Sequence, residues 1–318
     1  MNNPHRGFIT YIKKERDKLN SQNPKINCVA IFTNFNIPEK ANAALEIADF
    51  LSKKGITVAF HMLTKERIFR MHRHRSNFVY LPTDELYQNA DVVAVFGGDG
   101  TILDAARYAA PYDIPLLCFN LGRVGYMAEL ELSELDLLAK ICDGNYTFDE
   151  RSMLSVEVMN AEKKIRKTSF ALNDAVLTYG SMARLVDLEL YECGQFLTKY
   201  RADGLILSTP TGSTAYSMSA GGSIIDPKLG AICVTPICPY SLISRPILFH
   251  DKSVLEIKNI SKREKIIYLV IDGKINIELY FNDVVRITKS DMRTRLIRVK
   301  DSSFYTNLRA KLCTIDSL

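Results

Sequence analysis

The apolar residues of this chain change their spacing near Arg151, and no other feature limits the fold as much. Before that point, short unbroken apolar runs alternate with helical patterns. "INCVAIFT" (Ile26 to Thr33), "ITVAFHM" (Ile56 to Met62), "DVVAVF" (Asp91 to Phe96) and "IPLLCFN" (Ile114 to Asn120) read as strands. Between the first two, Ala44, Ile47, Ala48 and Leu51 recur at helical spacing, and Gly55 ends the pattern. Strands without a polar face, separated by helices, predict a parallel sheet covered on both sides. After Arg151, "SVEVMN", "LVDLELYE" and "INIELYFNDVVRIT" alternate apolar and polar residues with period two, as half-buried antiparallel strands do. Asp272-Gly273 and Asn282-Asp283 are turn dipeptides between such runs. A chain of 318 residues also exceeds the usual size of a single core. The expected architecture is an α/β domain with a Rossmann-like parallel sheet over residues 1–150, then an all-β two-sheet sandwich over 151–299. The tail "DSSFYTNLRAKL" is helical again, so residues 300–318 are expected to pack back on the first domain.

Composition removes several classes of function. A formal charge of +5 admits anionic ligands without requiring nucleic acid. The densest basic run, "KERIFRMHRHR" (Lys65 to Arg75), interleaves Ile68, Phe69 and Met71, and reads as a solvated or ligand-facing loop. The seven cysteines are dispersed, with no CxxC pair, and several fall in apolar runs. That usage points to a reducing cytoplasm and to no structural zinc. His72 and His74 lack the carboxylate or thiol neighbours of a metal site. The N-terminus has no signal-peptide core, and no apolar run approaches the ~20 residues of a membrane span. A cytoplasmic protein with neither membrane nor nucleic-acid partners is expected.

The candidate chemistry begins at the end of the third strand, with Gly97-Gly98-Asp99-Gly100-Thr101. The glycines allow positive φ and let backbone N–H groups approach an anion, and the following helix adds its N-terminal partial charge. Gly97, Gly98, Gly100 and Thr101 therefore form a candidate phosphate-binding turn. The dinucleotide fingerprint GxGxxG fails at Leu103, and no lysine completes a P-loop. Asp99 is the discriminating residue. A carboxylate beside phosphate is unfavourable unless a cation bridges the two or the acid faces a hydroxyl. Phosphoryl transfer to a hydroxyl supplies both circumstances, which suggests a kinase with Asp99 at the acceptor. A simple tight strand–helix connection is the plainer reading of the same glycines.

A second polar constellation lies in the β-rich half. Asn173-Asp174 interrupts the apolar run "FALNDAVL", where a buried polar pair needs partners. "STPTGSTAYSMS" (Ser208 to Ser219) concentrates hydroxyl groups, many of which could simply cap backbone. Thr211-Gly212-Ser213 does not match a nucleophile elbow and no histidine is near, so a hydrolase is disfavoured.

Taken in order, "GGDGT", "NLGRVGYM", "LND", "DGLILSTPTGSTAYSMSAGG" and "PICPYSLISRPI" resemble the NAD kinases, from about Ile26 to Ile287. "GGDGT" alone is shared with diacylglycerol, sphingosine and, more loosely, phosphofructokinases. The long second-half segment is far more specific. The resemblance implies transfer of the ATP γ-phosphate to the adenosine-ribose 2′-hydroxyl of NAD, giving NADP. It implies Mg²⁺ or another divalent metal held through nucleotide phosphates, with no protein ligand to it assigned. Homodimers or homotetramers with sites near subunit contacts are also implied. Asp99 matches the family's catalytic aspartate, with Gly100 beside it at the NAD site. Asn173 and Asp174 match a pair that holds the adenosine portion. Arg184, Arg201 and Asp203 resemble further NAD contacts, the last two reaching a neighbouring subunit's ligand. Thr214, Ala215, Tyr216, Ser217, Met218 and Ser219 match the segment around adenine and ribose, and Lys274 a position often held by glutamine.

Two residues depart from the family pattern. Asp174 is the shorter acid of its pair, and Tyr240 stands where histidine is usual. The first 25 or so residues match no motif. A lipid kinase sharing the turn, or a non-catalytic NAD(P)-binding sensor, are the alternative readings.

Overall fold

The four apolar runs before Arg151 become four parallel strands. A computed structural model describes residues 23–71, 78–121, 125–180, 184–262, 266–300 and 304–315. The chain divides into two compact units, one formed by residues up to Asp149 together with those from Arg295 onward, the other by Glu150–Thr294.

In the first unit, β1 (Cys28–Thr33), β2 (Thr57–His61), β3 (Phe78–Leu81), β4 (Val92–Gly97) and β5 (Leu116–Asn120) lie in the order β3-β2-β1-β4-β5, all parallel. Helices α1 (Pro38–Lys53), α2 (Lys65–Met71), α3 (Thr83–Asn89), α4 (Asp99–Ala109) and α5 (Leu135–Cys142) complete it. Helix α1 starts with proline in its first turn and buries Ala41, Ala44, Leu45, Ile47, Ala48 and Leu51 along one stripe. Strand β4 is buried along its whole length, which explains its lack of polar residues. Phe96 on β4 stacks on Phe119 of β5, ring centroids 4.6 Å apart. Strand order reverses between β1 and β4. In such sheets ligands bind beyond the carboxyl ends of the strands at that reversal, and there β4 runs into Gly98 and Asp99.

The run "KERIFRM" differs from its expected loop form: it is helix α2, with Ile68 only 2% exposed. Ile68 and Met71 share one face, and seven residues hold too few apolar positions for the period to show among the charges. His72 and His74 lie outside the described residues.

The second unit is a sandwich of antiparallel sheets. Its strands are β6 (Thr147–Met159, entering from the first unit), β7 (Ile165–Ala171), β8 (Asp174–Thr178), β9 (Val186–Glu192), β10 (Gln195–Ala202), β11 (Gly204–Ser208), β12 (Ala231–Ile237), β13 (Ile247–His250), β14 (Leu255–Asn259), β15 (Ile266–Ile271), β16 (Ile275–Tyr280) and β17 (Val284–Arg298). One short helix, α6 (Tyr216–Ser219), intervenes, and α7 (Phe304–Ile315) follows β17. One sheet runs β10-β9-β14-β17, with β6 beside β17 and β7 beside β6. The other runs β13-β12-β11-β8-β15-β16. Alternate residues of β9 and β14 (Leu188, Leu190, Ile257) share one core with Leu177, Leu205, Leu207 and Leu269 of the facing sheet. Asp272 and Gly273 both have positive φ (47° and 66°) in the tight turn, residues 272–274, that joins β15 to β16. Phe304 of α7 lies against Tyr126 of the first unit, ring centroids 6.5 Å apart.

Leu207 is fully buried in a central strand. Leu207→Ala is expected to lower unfolding free energy by about 2–5 kcal/mol, measured by urea titration followed by circular dichroism.

Candidate active site

Two carboxylates organise the site residues, each by collecting backbone N–H groups. Asp99 opens α4, and Gly98 before it is extended at φ −96°. Thr101 N donates to Gly98 O at 2.9 Å, starting the helix. Gly97 has φ +156°, and a Cβ there would lie 2.8 Å from Cβ of Thr101, so the turn admits only glycine. The half-buried Asp99 carboxylate accepts N–H of Tyr126 at 3.1 Å and of Met127 at 3.3 Å. A Cβ on Gly125 would lie 3.1 Å from the Asp99 carboxyl carbon and closer still to Oδ1. Gly125 is therefore glycine because the acid needs the room. Burial, and next the Asp99 charge, push the Tyr126 phenol above its ordinary pKa. Gly122, Arg123 and Val124 of "NLGRVGYM" lie outside the described residues.

In the second unit, Asp272 receives three consecutive backbone N–H groups: Leu172 at 2.9 Å, Asn173 at 2.8 Å and Asp174 at 3.1 Å. Its own N–H returns to Asp174 O at 2.9 Å. This holds the interruption in "FALNDAVL" open at the start of β8. Asn173 O accepts from Thr209 N at 2.9 Å, and Thr209 Oγ1 donates to Leu172 O at 2.6 Å and accepts from Gly212 N at 3.0 Å. A Cβ on Gly212 would sit 2.8 Å from Cα of Asn173, so this glycine is set by close approach. Asn173 Oδ1 is buried with no hydrogen-bond partner among the described residues. Burial, reinforced by the Asp272 charge, raises the Asp174 carboxyl to about 7.

The hydroxyl-rich segment sorts itself by orientation. Ser213 donates to Pro210 O at 2.6 Å and accepts from Ile225 N at 3.0 Å. Ser217 Oγ is fully buried, 3.0 Å from Thr235 Oγ1. These serve the backbone and core. Thr214, Ala215 and Met218 are half-buried, with Thr214 Oγ1 donating to Thr211 O at 3.3 Å, whereas Tyr216 and Ser219 are exposed. Lys274 follows Asp272-Gly273 in the same hairpin, its N–H bonded to Ile271 O, which places it at the Asn173–Asp174 end of the sheet.

Arg184, Arg201 and Asp203 are at the other end. Strands β8 and β11 pair Asp174 with Ser208 at one end and Thr178 with Gly204 at the other. Four residue steps separate those ends, about 13 Å. Thr178 Oγ1 donates to Asp203 O at 3.2 Å, and the Arg184 guanidinium lies over the Tyr179 ring, 5.4 Å from its centroid. Arg201 O accepts from Tyr240 N at 2.8 Å. Tyr240, Leu242 and Ile243 beside it are 77%, 91% and 85% exposed.

The sequence reading missed Asp272 and Gly125 as parts of the site. Asp272 was visible only as a hairpin residue, since nothing local shows a carboxylate reaching amides a hundred positions earlier. Gly125 lies inside "NLGRVGYM", where nothing local shows that a carboxylate packs against it.

The chain matches family profiles over most of its length. Residues 29–146 match the ATP-NAD kinase N-terminal domain, and residues 172–299 the ATP-NAD kinase C-terminal domain. It is 38% identical to the NAD kinase of Geobacter metallireducens over 285 residues, 89% of this chain and 97% of that one. With the NAD kinase of Carboxydothermus hydrogenoformans the identity is 42% over 230 residues, 72% of this chain and 81% of that one. Yeast NADH kinase, solved in complex with NADH, superimposes with a TM-score of 0.84 at 27% identity, covering 91% of this chain and 88% of that one. An NAD kinase from Archaeoglobus fulgidus, solved with ATP, shares the fold at a TM-score of 0.66 and 23% identity, covering 89% of this chain and 97% of that one.

The raised Asp174 pKa predicts a pH-dependent stability. Between about pH 4 and 7 the folded chain holds a proton that the unfolded chain releases, so stability falls as pH rises through that window. Above 7 the full cost of the buried charge is present. Without ligand, Asp174→Asn is expected to melt higher than the wild type at pH 8, by about 2–4 °C for each kcal/mol recovered. The gap should shrink towards pH 5. A gap independent of pH, in differential scanning calorimetry, would refute the assignment.

Proposed function

The chain belongs to the ATP-NAD kinase family and transfers phosphate from ATP to NAD, and on that premise we infer that Asp99 takes the proton from the acceptor 2′-hydroxyl. One observation carries the inference: Asp99 stands where β4 ends, at the reversal of strand order, its carboxylate oriented by the Tyr126 and Met127 amides. Charge-assisted hydrogen bonds of this kind hold the acid in one orientation while leaving it lone pairs for a hydroxyl. Gly97, Gly98 and Gly100 bring backbone N–H groups to the phosphates at the start of α4, and Thr101 closes the turn through its N–H to Gly98 O. The lipid-kinase alternative loses its footing with the match over residues 172–299, and the intact Asp99 argues against a non-catalytic sensor.

Asn173 and Asp174 hold the adenosine portion of NAD in this reading. The partnerless Asn173 Oδ1 supports it, because a ligand donor would satisfy that oxygen. With a pKa of about 7, Asp174 can donate as well as accept a hydrogen bond near neutral pH. Thr214, Ala215, Tyr216, Met218, Ser219 and Lys274 line the same end, with Ser217 contributing through its backbone. A divalent cation such as Mg²⁺ would be held through the nucleotide's phosphates, where it neutralises charge.

Arg184, Arg201 and Asp203 lie about 13 Å along the strands from Asp174, too far to share one subunit's adenosine contacts. We assign Arg201 and Asp203 to the site of another copy in a homodimer or homotetramer, a reading that the exposed Tyr240, Leu242 and Ile243 support. No helix among the described residues is long and apolar enough to cross a membrane, and Cys28, Cys118, Cys142, Cys193, Cys233 and Cys238 are free thiols. The free thiols suit a cytoplasmic setting.

With NAD, ATP and Mg²⁺, NADP formation followed through a coupled dehydrogenase is expected to fall by about 10²–10⁴ in kcat for Asp99→Asn, with KM for NAD little changed. Near-wild-type turnover would remove Asp99 from catalysis. Mixing Asp99→Asn with Arg201→Ala is expected to restore part of the activity that each variant lacks alone. Hybrids would then contain one site with both residues intact, and absence of recovery after subunit exchange would place Arg201 in its own subunit's site.

A further inference from the structure

We propose that Arg298 is a positioning residue for Asp99, acting through the backbone of Met127. The proposal rests on Asp99 being the proton acceptor, but its geometry is independent of that reading. Residues 125–129, which carry the two amides bound to Asp99, include no helix or extended strand. Glu129 N–H donates to Cys118 O of β5 at 2.9 Å, and a second hold comes from the far end of the chain. Arg298 Nη1 donates to Met127 O at 3.1 Å and to Ala128 O at 3.4 Å. Met127 is thus gripped twice, by Asp99 at its N–H and by Arg298 at its carbonyl.

The arginine is itself held in place. Its Nη1 lies 3.0 Å from Glu129 Oε2, and its Nη2 donates to Asp149 at 3.1 Å. The other Glu129 oxygen accepts N–H of Val299 and of Lys300, both at 2.8 Å. The Glu129 side chain is 2% exposed and that of Arg298 14%. Tyr126 meets the ring of Phe304, the first residue of α7. Cys118 beneath this group senses the charges of Arg298, Asp99 and Glu129 together, which places them in one electrostatic neighbourhood. Residues 126–129 are therefore clasped between the catalytic turn on their N–H side and residues 298–300 on their carbonyl side.

Only a planar fork serves two carbonyls and two carboxylates together, so lysine at 298 would keep the charge and lose the geometry. Arg298→Lys is expected to lower kcat at least tenfold, roughly, with KM for NAD and ATP within about twofold. Amide exchange of peptides spanning residues 125–129 should quicken in the same variant. Arg295→Lys is the control: Arg295 lies on the same strand, 13% exposed, pairs with Asp113 at 3.2 Å and covers Phe148. It should keep kcat within about twofold. The deciding measurement is a double-mutant cycle. In the Asp99→Asn background, Arg298→Lys should cost no more than about twofold further, because the group it positions is gone. An equal loss in both backgrounds, or a change confined to KM or melting temperature, overturns the proposal. If Asp99→Asn alone retains turnover, the reading of Asp99 fails instead. Should Arg298→Lys not fold, Glu129→Gln, which keeps the acceptor for Val299 and Lys300 but weakens the ion pair, enters the same cycle under the same criterion.

Discussion

Three successive N–H groups ending on the single buried carboxylate of Asp272 are the constraint from which the second unit's site is built. A chain cannot cross from one sheet to the other without interrupting its ladder of hydrogen bonds, and an unpaired buried N–H costs about 1–3 kcal/mol. Asp272 gathers these N–H groups, so β7 can stop and β8 begin without such a loss. Asn173 and Asp174 are thereby presented at a sheet end. The same carboxylate exerts a cost: its charge, added to burial, keeps Asp174 protonated to about pH 7. Asp272 thus fixes the position of Asp174 and adds to the burial that raises its pKa.

The first unit repeats this logic with a different outcome. Asp99 also collects backbone N–H groups, those of Tyr126 and Met127, and it remains half-buried instead of enclosed. These amides orient the carboxylate. Gly125 is the steric condition of this arrangement, since any side chain there would displace the acid. Gly97 is the matching condition on the other side, set by Thr101. The two glycines are conformational necessities of one carboxylate placement.

Much of the fold was legible because burial on both faces leaves an unmistakable record. Val92 to Phe96 could only be a central parallel strand, and the alternation in β9 and β16 could only face a core on one side. Helix α2 was not legible, because seven residues with a single fully buried side chain carry almost no period. In the site, Asp99, Asn173 and Asp174 stood out as polar residues in apolar surroundings. Asp272, Gly125 and Arg298 did not: an aspartate in a hairpin, a glycine in a loop and an arginine at a strand end each have an ordinary local explanation. Their roles are contacts across long stretches of chain, and no local pattern encodes a partner that distant.

Already legible along the chain are the buried strands, the change from α/β to all-β, and an acid set inside a glycine-rich turn at a strand end. Those are consequences of hydrophobic period and of local backbone chemistry, both of which are written along the chain. Only the tertiary structure decided which amides orient each acid, and that Arg184, Arg201 and Asp203 stand at the opposite strand end from Asp174. Only it showed that residues 298–300 clasp the loop supporting Asp99. The reason is physical: a carboxylate's protonation, orientation and reach depend on the N–H groups and charges within a few ångströms, and folding, not sequence distance, chooses them.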